Sequence, residues 1–198
     1  MRIRIVEGCD KLGKSTVINN LKTCDLNYYI IKSPNRSHFS KEFVDFYMKS
    51  DSRCTLAERQ YYFTTDEQLE FLLLSQEMLR RQRNNLPEIS TVFFDRLNII
   101  SSYIYRPPKS YADKVRFGLA QNVFLNCLSA FKKDIESIHL DIFYGENPLI
   151  PLDTSEEMEK NWHKKNKRYL KYYYEDNTLL NICNKLGIKF SKLLSKVD

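Results

Sequence analysis

The sequence predicts an α/β fold in which a parallel sheet of about five strands lies between layers of helices. Short apolar runs of strand length alternate along the chain with longer stretches whose apolar residues recur at helical spacing, as in parallel α/β proteins. The chain has 198 residues, of which 42% are hydrophobic and 28% are charged. That length and composition suit one compact globular domain. We therefore expect residues 1–198 to form a single domain.

The same patterns predict the individual elements in chain order. Strands are expected at residues 3–7, 27–32, 91–94, 138–143 and 188–190. Helices are expected at residues 14–22, 42–48, 55–83, 112–133, 155–174 and 179–186. Thr55 has the side chain of a helix cap, and Pro87 follows the expected end of the long helix. Residues 145–154 contain two prolines and no basic residue, so we expect a loop there, as part of a short lid around 145–158.

The first strand runs into residues 8–15, which read Gly-Cys-Asp-Lys-Leu-Gly-Lys-Ser and match the phosphate-binding pattern G-x-x-x-x-G-K-S. Gly8 and Gly13 allow successive backbone N–H groups to turn inward around phosphates, and the following helix N-terminus adds positive charge. Lys14 would reach the β- and γ-phosphates of ATP, and the Ser15 hydroxyl would bind Mg²⁺. The fold class is then a three-layer α/β/α fold of the P-loop NTPase type. The expected ATP-binding residues are Gly8, Asp10, Lys11, Gly13, Lys14, Ser15 and Thr16.

Two further strand ends carry arginine. Ligands of open α/β sheets bind outside the carboxyl ends of the strands. Arg36 follows the second expected strand and Arg96 follows the third, so both would face the phosphate loop across one cleft. Two phosphate groups that approach each other need such neutralisation. Taken singly, each arginine also fits a surface salt bridge or a helix cap.

Together these motifs resemble the thymidylate kinase family of nucleoside monophosphate kinases. The similarity is carried by residues 6–16, 34–36, 63–66 and 94–96, and it covers most of the chain up to about residue 145. It implies transfer of the γ-phosphoryl group of ATP to a deoxynucleoside monophosphate, with dTMP as the first candidate. Two alternatives stay open: a deoxynucleoside kinase that uses Glu7 as its base, and a nucleotide-binding paralogue without turnover.

The resemblance implies a role for each substrate-binding residue. Asp10 would accept a hydrogen bond from the deoxyribose 3′-hydroxyl. Arg36 and Arg96 would hold the acceptor phosphate, Phe63 would stack on the base, and Tyr105 would contact the base.

The resemblance also implies the catalytic set, which comprises Lys14, Lys11, Arg96 and Asp95. Asp95 would organise the Mg²⁺ water shell beside Ser15. Residues 145–158 contain no lysine or arginine, so Lys11 is the expected transition-state cation.

The sequence departs from this family at the position expected to read the base. Glu67 stands where many members carry an arginine that donates to a thymine carbonyl. A carboxylate cannot donate to a carbonyl oxygen. We therefore expect weaker selection for thymine, with dUMP as the next acceptor.

The composition of the chain indicates which classes of binding partner to expect. Basic residues outnumber acidic ones by 31 to 25, which suits a phosphate-bearing partner. Because the basic residues are spread out, a nucleotide is expected rather than nucleic acid. The basic helix around Lys165 is interpreted as aromatic packing covered by solvated lysines. The resemblance suggests that the long helix could pack against its twin in a homodimer, and a monomer stays open.

The cysteines and the hydropathy bear on location. Five scattered cysteines without a CxxC pair indicate reduced thiols. No apolar run reaches transmembrane length, so neither a membrane span nor a membrane partner is expected. We expect a cytoplasmic protein.

Overall fold

The computed structural model describes residues 1–24, 27–48, 54–152 and 155–198, and it describes only the backbone of residues 22–24, 36, 48 and 56. Five strands form one sheet, and every neighbouring pair of strands is parallel. Their order across the sheet is β2-β3-β1-β4-β5. The strands are β1 (Arg2–Gly8), β2 (Tyr28–Lys32), β3 (Thr91–Asp95), β4 (Ser137–Tyr144) and β5 (Lys189–Lys196).

Seven α-helices and one 3-10 turn connect the strands in the described part of the chain. The helices are α1 (Lys14–Cys24), α2 (Lys41–Met48), α3 (Leu56–Arg83), α4 (Asn98–Tyr105), α5 (Tyr111–Ala130), α6 (Glu156–Glu175) and α7 (Thr178–Leu186), and the 3-10 turn is Arg36–His38. The 28-residue helix α3 begins with a capping box, in which Thr55 and Glu58 each accept a hydrogen bond from the other's backbone N–H.

The two faces of the sheet are covered unequally. On one face Val6 and Phe93 pack against Ile18 of α1. On the other face the main core joins Ile5 and Phe94 to helices α3 to α7, including Phe71 of α3, Phe124 of α5 and Tyr169 of α6. Alternate residues of each strand thus serve opposite faces, as the period of two requires. The three-layer α/β/α prediction is confirmed.

The structure differs from the predicted elements in two places: one strand is longer than predicted, and one helix was not predicted. The last strand is not the short segment 188–190, because Lys189–Lys196 pairs with β4 along its whole length. Its sequence of interleaved lysines and serines gives a weak strand pattern that an edge position tolerates. The sequence interpretation also missed α4. That helix is short and rich in isoleucine, a residue with low helix propensity, but Ile99, Ile100 and Ile104 are all buried, so tertiary packing overrides propensity.

No helix in the described ranges has both the length and the apolar character needed to cross a membrane.

Candidate active site

The phosphate-binding motif lies where the sequence predicts it, between β1 and α1. Gly8 has φ +135° and Gly13 has φ +73°, which are values that side-chain-bearing residues rarely adopt. Gly8 also pairs with Phe143 of β4, and a Cβ on Gly8 would clash with the carbonyl oxygen of Phe143. Glycine at position 8 is therefore required both by backbone angle and by space.

Lys14 is folded back into this loop. Its side chain is buried, and its Nζ donates a hydrogen bond to the carbonyl of Cys9. Burial, followed by the nearby positive charge of Arg96, lowers the pKa of Lys14 to about 8. Ser15 and Thr16 are exposed in the first turn of α1. In this arrangement the Lys14 ammonium is bonded to the backbone of its own loop.

Two residues from the second half of the chain donate hydrogen bonds to backbone carbonyls of the phosphate loop. The indole Nε1 of Trp162 on α6 donates to the carbonyl of Asp10 at 2.8 Å. The backbone N–H of Leu149 donates to the carbonyl of Lys11 at 2.9 Å. Lys11 itself has φ +67° and an exposed side chain. The expected lid segment therefore contacts the phosphate loop directly, through Leu149.

Arg96 is the centre of a polar cluster at the end of β3. Its Nη1 donates to the hydroxyls of Tyr105 at 3.1 Å and Tyr169 at 3.2 Å, and its Nη2 donates to the carboxylate of Asp10. Tyr105 in turn donates to Asp10 Oδ2 at 3.2 Å. Because Asp10 belongs to the phosphate loop, this cluster ties the end of β3 to the loop that follows β1.

A cavity of about 720 Å³ opens beside this cluster. Five of the predicted site residues line it, namely Asp10, Phe63, Asp95, Arg96 and Tyr105. The other lining residues are Lys32, Ser33, Pro34, Tyr47, Arg59, Gln60, Asn98, Ser101, Ser102, Arg106, Pro108, Asp113, Arg116, Phe117 and Lys165. The cavity thus lies at the carboxyl edge of the sheet, next to the phosphate loop.

The remaining predicted residues lie outside the cavity lining or outside the described side chains. Gly8, Lys11, Gly13, Lys14, Ser15 and Thr16 form the phosphate loop and the start of α1 and do not line the cavity. The backbone of Arg36 begins the 3-10 turn that follows the cavity-lining Ser33 and Pro34. The side chain of Arg36 lies outside the described residues, so its role stays a prediction.

Sequence reasoning missed Lys165, which it interpreted as a solvated lysine. Its Nζ lies 4.5 Å from the centre of the Tyr105 ring, and the side chain lines the cavity. A signal was present in the spacing. Lys165 lies three residues after Trp162 and four before Tyr169, which places it on the same face of α6 as these two buried aromatics.

Two glutamates that the sequence singled out are buried behind residues that line the cavity. Glu7 accepts hydrogen bonds from the backbone N–H of Leu97 at 2.6 Å and from Ser101 Oγ at 3.3 Å, and burial raises its pKa. Glu67 accepts from the backbone N–H of Asn98 at 2.5 Å and from Ser33 Oγ at 3.2 Å. Burial raises the pKa of Glu67 to about 8. Neither carboxyl group is among the cavity-lining residues.

The donor set fits a magnesium ion held mainly by a nucleotide. Ser15 offers a hydroxyl at the start of α1, and Asp95 offers a carboxylate close enough to influence the pKa of Lys14. Mg²⁺ prefers oxygen ligands and is usually bound by one or two protein groups together with phosphates and water. In the described part of the chain, no group of three histidine, cysteine or carboxylate side chains could hold a metal without a nucleotide.

The fold and the loop together define a P-loop kinase-like α/β protein, and comparison with solved structures makes this more specific. The thymidylate kinase of Ehrlichia chaffeensis superposes with a TM-score of 0.51 at 14% identity, covering 97% of this chain and 91% of that one. The thymidylate kinase of Candida albicans superposes with a TM-score of 0.50 at 17% identity, covering 98% and 84%. No family model matches the sequence, and no curated protein matches it significantly. The chain therefore has the fold of thymidylate kinases.

Proposed function

We propose that this protein is a nucleoside monophosphate kinase that transfers the γ-phosphoryl group of ATP to a deoxynucleoside monophosphate, with dTMP as the first acceptor. The observation that carries the proposal is the direct link between the two half-sites. Asp10, a residue of the ATP-binding loop, bonds to Arg96 and Tyr105, which line the adjoining cavity. An acceptor in that cavity would lie next to the donor phosphates, as in-line transfer requires.

The cationic groups around the cavity suit an acceptor that carries a phosphate. Arg96 presents a planar fork of donors, which matches the oxygens of a phosphate better than a single ammonium group does. Lys165 of α6 and Lys32 of β2 also line the cavity, as do Arg59, Arg106 and Arg116. A neutral nucleoside would gain little from this set of charges, whereas a monophosphate would be held by it.

Catalysis would consist of positioning and charge stabilisation. Lys14 would move from the Cys9 carbonyl to the β- and γ-phosphates, and Lys11 is the proposed transition-state cation. Ser15 and Asp95 would hold Mg²⁺, which would neutralise charge on the phosphates when bound. An acceptor phosphate is already ionised, so no strong general base is required.

The base would stack on Phe63 and contact Tyr105, both of which line the cavity. Stacking tolerates any base, and strong rejection of a wrong base needs buried polar groups that the wrong base leaves unpaired. Glu67 stands at the expected base-reading position. Its carboxyl group accepts hydrogen bonds from the Ser33 hydroxyl and the Asn98 backbone N–H instead. We therefore propose measurable use of dUMP beside dTMP. A broad substrate specificity is also attributed to the Candida albicans enzyme.

The test is a coupled assay of ADP release with ATP and Mg²⁺, run across dTMP, dUMP, the other monophosphates and free thymidine. The proposal expects dTMP and dUMP to give the highest kcat/KM and thymidine to give almost none. Equal or better activity on thymidine would favour a deoxynucleoside kinase. That alternative needs a base, and Glu7 is held by Leu97 and Ser101 outside the cavity lining. ATP binding without turnover of any acceptor would favour a nucleotide-binding paralogue.

A further inference from the structure

One face of helix α6 contacts both the phosphate loop and the arginine at the end of β3. The indole Nε1 of Trp162 donates to the carbonyl of Asp10 at 2.8 Å, and the Cys9 thiol donates to the carbonyl of Trp162 at 3.5 Å. Seven residues further along α6, the hydroxyl of Tyr169 accepts from Arg96 Nη1 at 3.2 Å. This face of α6 therefore extends from the loop expected to bind ATP to the arginine expected to hold the acceptor phosphate.

Lys165 lies between these two contacts. It is three residues after Trp162 and four before Tyr169, so the three side chains share one face of the helix. The Lys165 side chain is partly buried and lines the cavity, and its Nζ lies 4.5 Å from the centre of the Tyr105 ring. The hydroxyl of that ring donates to the carboxylate of Asp10 at 3.2 Å. The ammonium group of Lys165 is therefore placed beside the junction between the cavity and the phosphate loop.

The positive charge of Lys165 has no carboxylate within ion-pair distance in the part of the chain that the structure describes. Two other lysines of the same helix do have such a partner. Lys160 pairs with Glu156 at 2.6 Å, and Lys171 pairs with Glu175 at 3.4 Å. Lys165 therefore presents to the cavity a charge that no described acidic side chain neutralises, and an anion that enters the cavity can pair with it.

A phosphate group would compete well with the Tyr105 ring for this ammonium group. At a partly exposed site, the attraction between an ammonium group and a ring face is weaker than a charge-assisted hydrogen bond to a phosphate oxygen. The four-carbon stem of lysine is flexible, so the Nζ atom can turn from the ring to a phosphate without a shift of the helix. The contact with Tyr105 thus holds the ammonium group near the site until a phosphate is bound.

We propose that Lys165 is a further catalytic residue of this kinase and contacts the transferred phosphoryl group during the reaction. The inference rests on the proposed function. An oxygen of the acceptor phosphate forms the new bond to the γ-phosphorus, the bond from the γ-phosphorus to the β,γ-bridging oxygen breaks, and that electron pair leaves with ADP. Lys165 transfers no proton: its ammonium group donates hydrogen bonds to the non-bridging oxygens of the transferred group. Lys11 would approach this group from the phosphate loop, and Lys165 would approach it from α6.

The position of Lys165 determines which step should depend on it. The donor phosphates are expected at the loop after β1, and the acceptor phosphate is expected at Arg96. A group that passes from one to the other lies between them, and Lys165 enters between them from α6. A cation at that point stabilises the transition state more than either bound substrate. Loss of the charge should therefore slow the chemical step and leave substrate binding nearly unchanged.

The test is the single-turnover rate of phosphoryl transfer from ATP to dTMP at saturating substrates, measured by rapid quench. This rate reports the chemical step even where product release limits kcat. Lys165→Met keeps the length of the stem and removes the charge, so the rate should fall on the order of 10²-fold. The KM values for ATP and dTMP should stay within about threefold of the wild type. Lys165→Arg keeps a cation and should bring the rate to within about tenfold of the wild type.

Lys164→Met and Lys167→Met are the matched controls. Both lysines are exposed on the same helix, and neither lines the cavity. Their rates should stay within about twofold of the wild type, because solvated surface charges contribute little. Thermal unfolding shows whether each variant is folded, and Lys165→Gln provides the same comparison if the methionine variant is not. A purely structural contact with the Tyr105 ring would instead lower the melting temperature and leave the single-turnover rate unchanged.

A Lys165→Met rate within about threefold of the wild type, or a change confined to the KM for dTMP, would overturn this proposal and leave the proposed function standing. Failure of the proposed function gives a different result, in which the wild type transfers no phosphoryl group to any monophosphate. Because the transferred group comes from ATP, a wild type that phosphorylates thymidine instead would be compared with the same variants in the same assay. A wild type that phosphorylates no acceptor at all would remove both proposals.

Discussion

Replacement of Arg96 by lysine tests the polar cluster that joins the loop after β1 to the adjoining cavity. Arg96 uses two separate nitrogens: Nη1 donates to Tyr105 and Tyr169, and Nη2 donates to Asp10. Lysine has a single nitrogen on a flexible chain and cannot occupy both positions. The substitution keeps the positive charge. The φ of +74° at this position is equally unfavourable for lysine and arginine, so the backbone strain is also unchanged. The substitution therefore tests only the loss of the two-nitrogen geometry of the guanidinium group.

The magnitude follows from the number of contacts. Lysine can retain about one of the three donated bonds, and each lost hydrogen bond to or from a charged group costs about 1.5 kcal/mol. Two lost bonds amount to about 3 kcal/mol, and if the acceptor complex needs the whole cluster in place, kcat/KM for the acceptor falls on the order of 10²-fold. The KM should carry part of this loss, and kcat should fall as well if Arg96 also contacts the transferred group.

The assay is coupled ADP release with dTMP varied at saturating ATP. Arg80→Lys is the control, since Arg80 is exposed near the end of α3 and pairs only with Glu77 among its described contacts. It should leave kcat/KM within about twofold, because exposed pairs contribute little. If Arg96→Lys also kept kcat/KM within a few fold, the reasoning that the guanidinium fork organises the acceptor site would be refuted.

Further predictions concern the ATP side. Lys14→Ala should lower kcat on the order of 10³-fold, and near-normal turnover would contradict the assignment of the phosphate loop. The pKa of Lys14 is about 8 in the free protein, and phosphates bind its charged form; calorimetry should therefore show ATP affinity falling as the pH rises through 8. Gly8→Ala should lower the melting temperature and abolish measurable ATP binding because of the clash with Phe143, so an unchanged melting curve would be contrary evidence. Trp162, the single tryptophan, donates to the loop carbonyl of Asp10, so its fluorescence should change when ATP is added to the wild type but not to Lys14→Ala.

The parts of the site that the sequence predicts are those encoded in a contiguous segment. The phosphate loop needs Gly8, Gly13, Lys14 and Ser15 at fixed spacing, because one turn of backbone must wrap one phosphate group. Its position between a strand and a helix is equally local. Placing Arg96 beside the cavity required only the rule that parallel strands present their carboxyl ends at one edge. A local sequence pattern and one rule of sheet topology were therefore enough to predict the position of the phosphate loop and of Arg96.

What the sequence did not reveal depends on contacts between distant segments. Helix α4 forms because its isoleucines are buried against other helices, and nothing in its own propensity indicates this. Lys165 approaches Tyr105 only because α6 packs next to α4, 60 residues away in the chain. Trp162 looked like a packing residue and is one, but its indole N–H also holds the carbonyl of Asp10. In each case the sequence shows the residue type, and only the folded structure shows which residue it contacts.

The acidic side chains of α3 illustrate the same limit. From the sequence, Glu67 stood out as a change in base recognition, Asp66 counted only as the last residue of the 63–66 motif, and Glu70 gave no signal. In the folded chain the three carboxyl groups instead face residues 33–38: His38 lies between Asp66 and Glu70, and the Ser33 hydroxyl donates to Glu67. A histidine that is isolated in the sequence has no assignable partner, and the two carboxyl groups beside His38 become its neighbours only when α3 packs against the segment that follows β2.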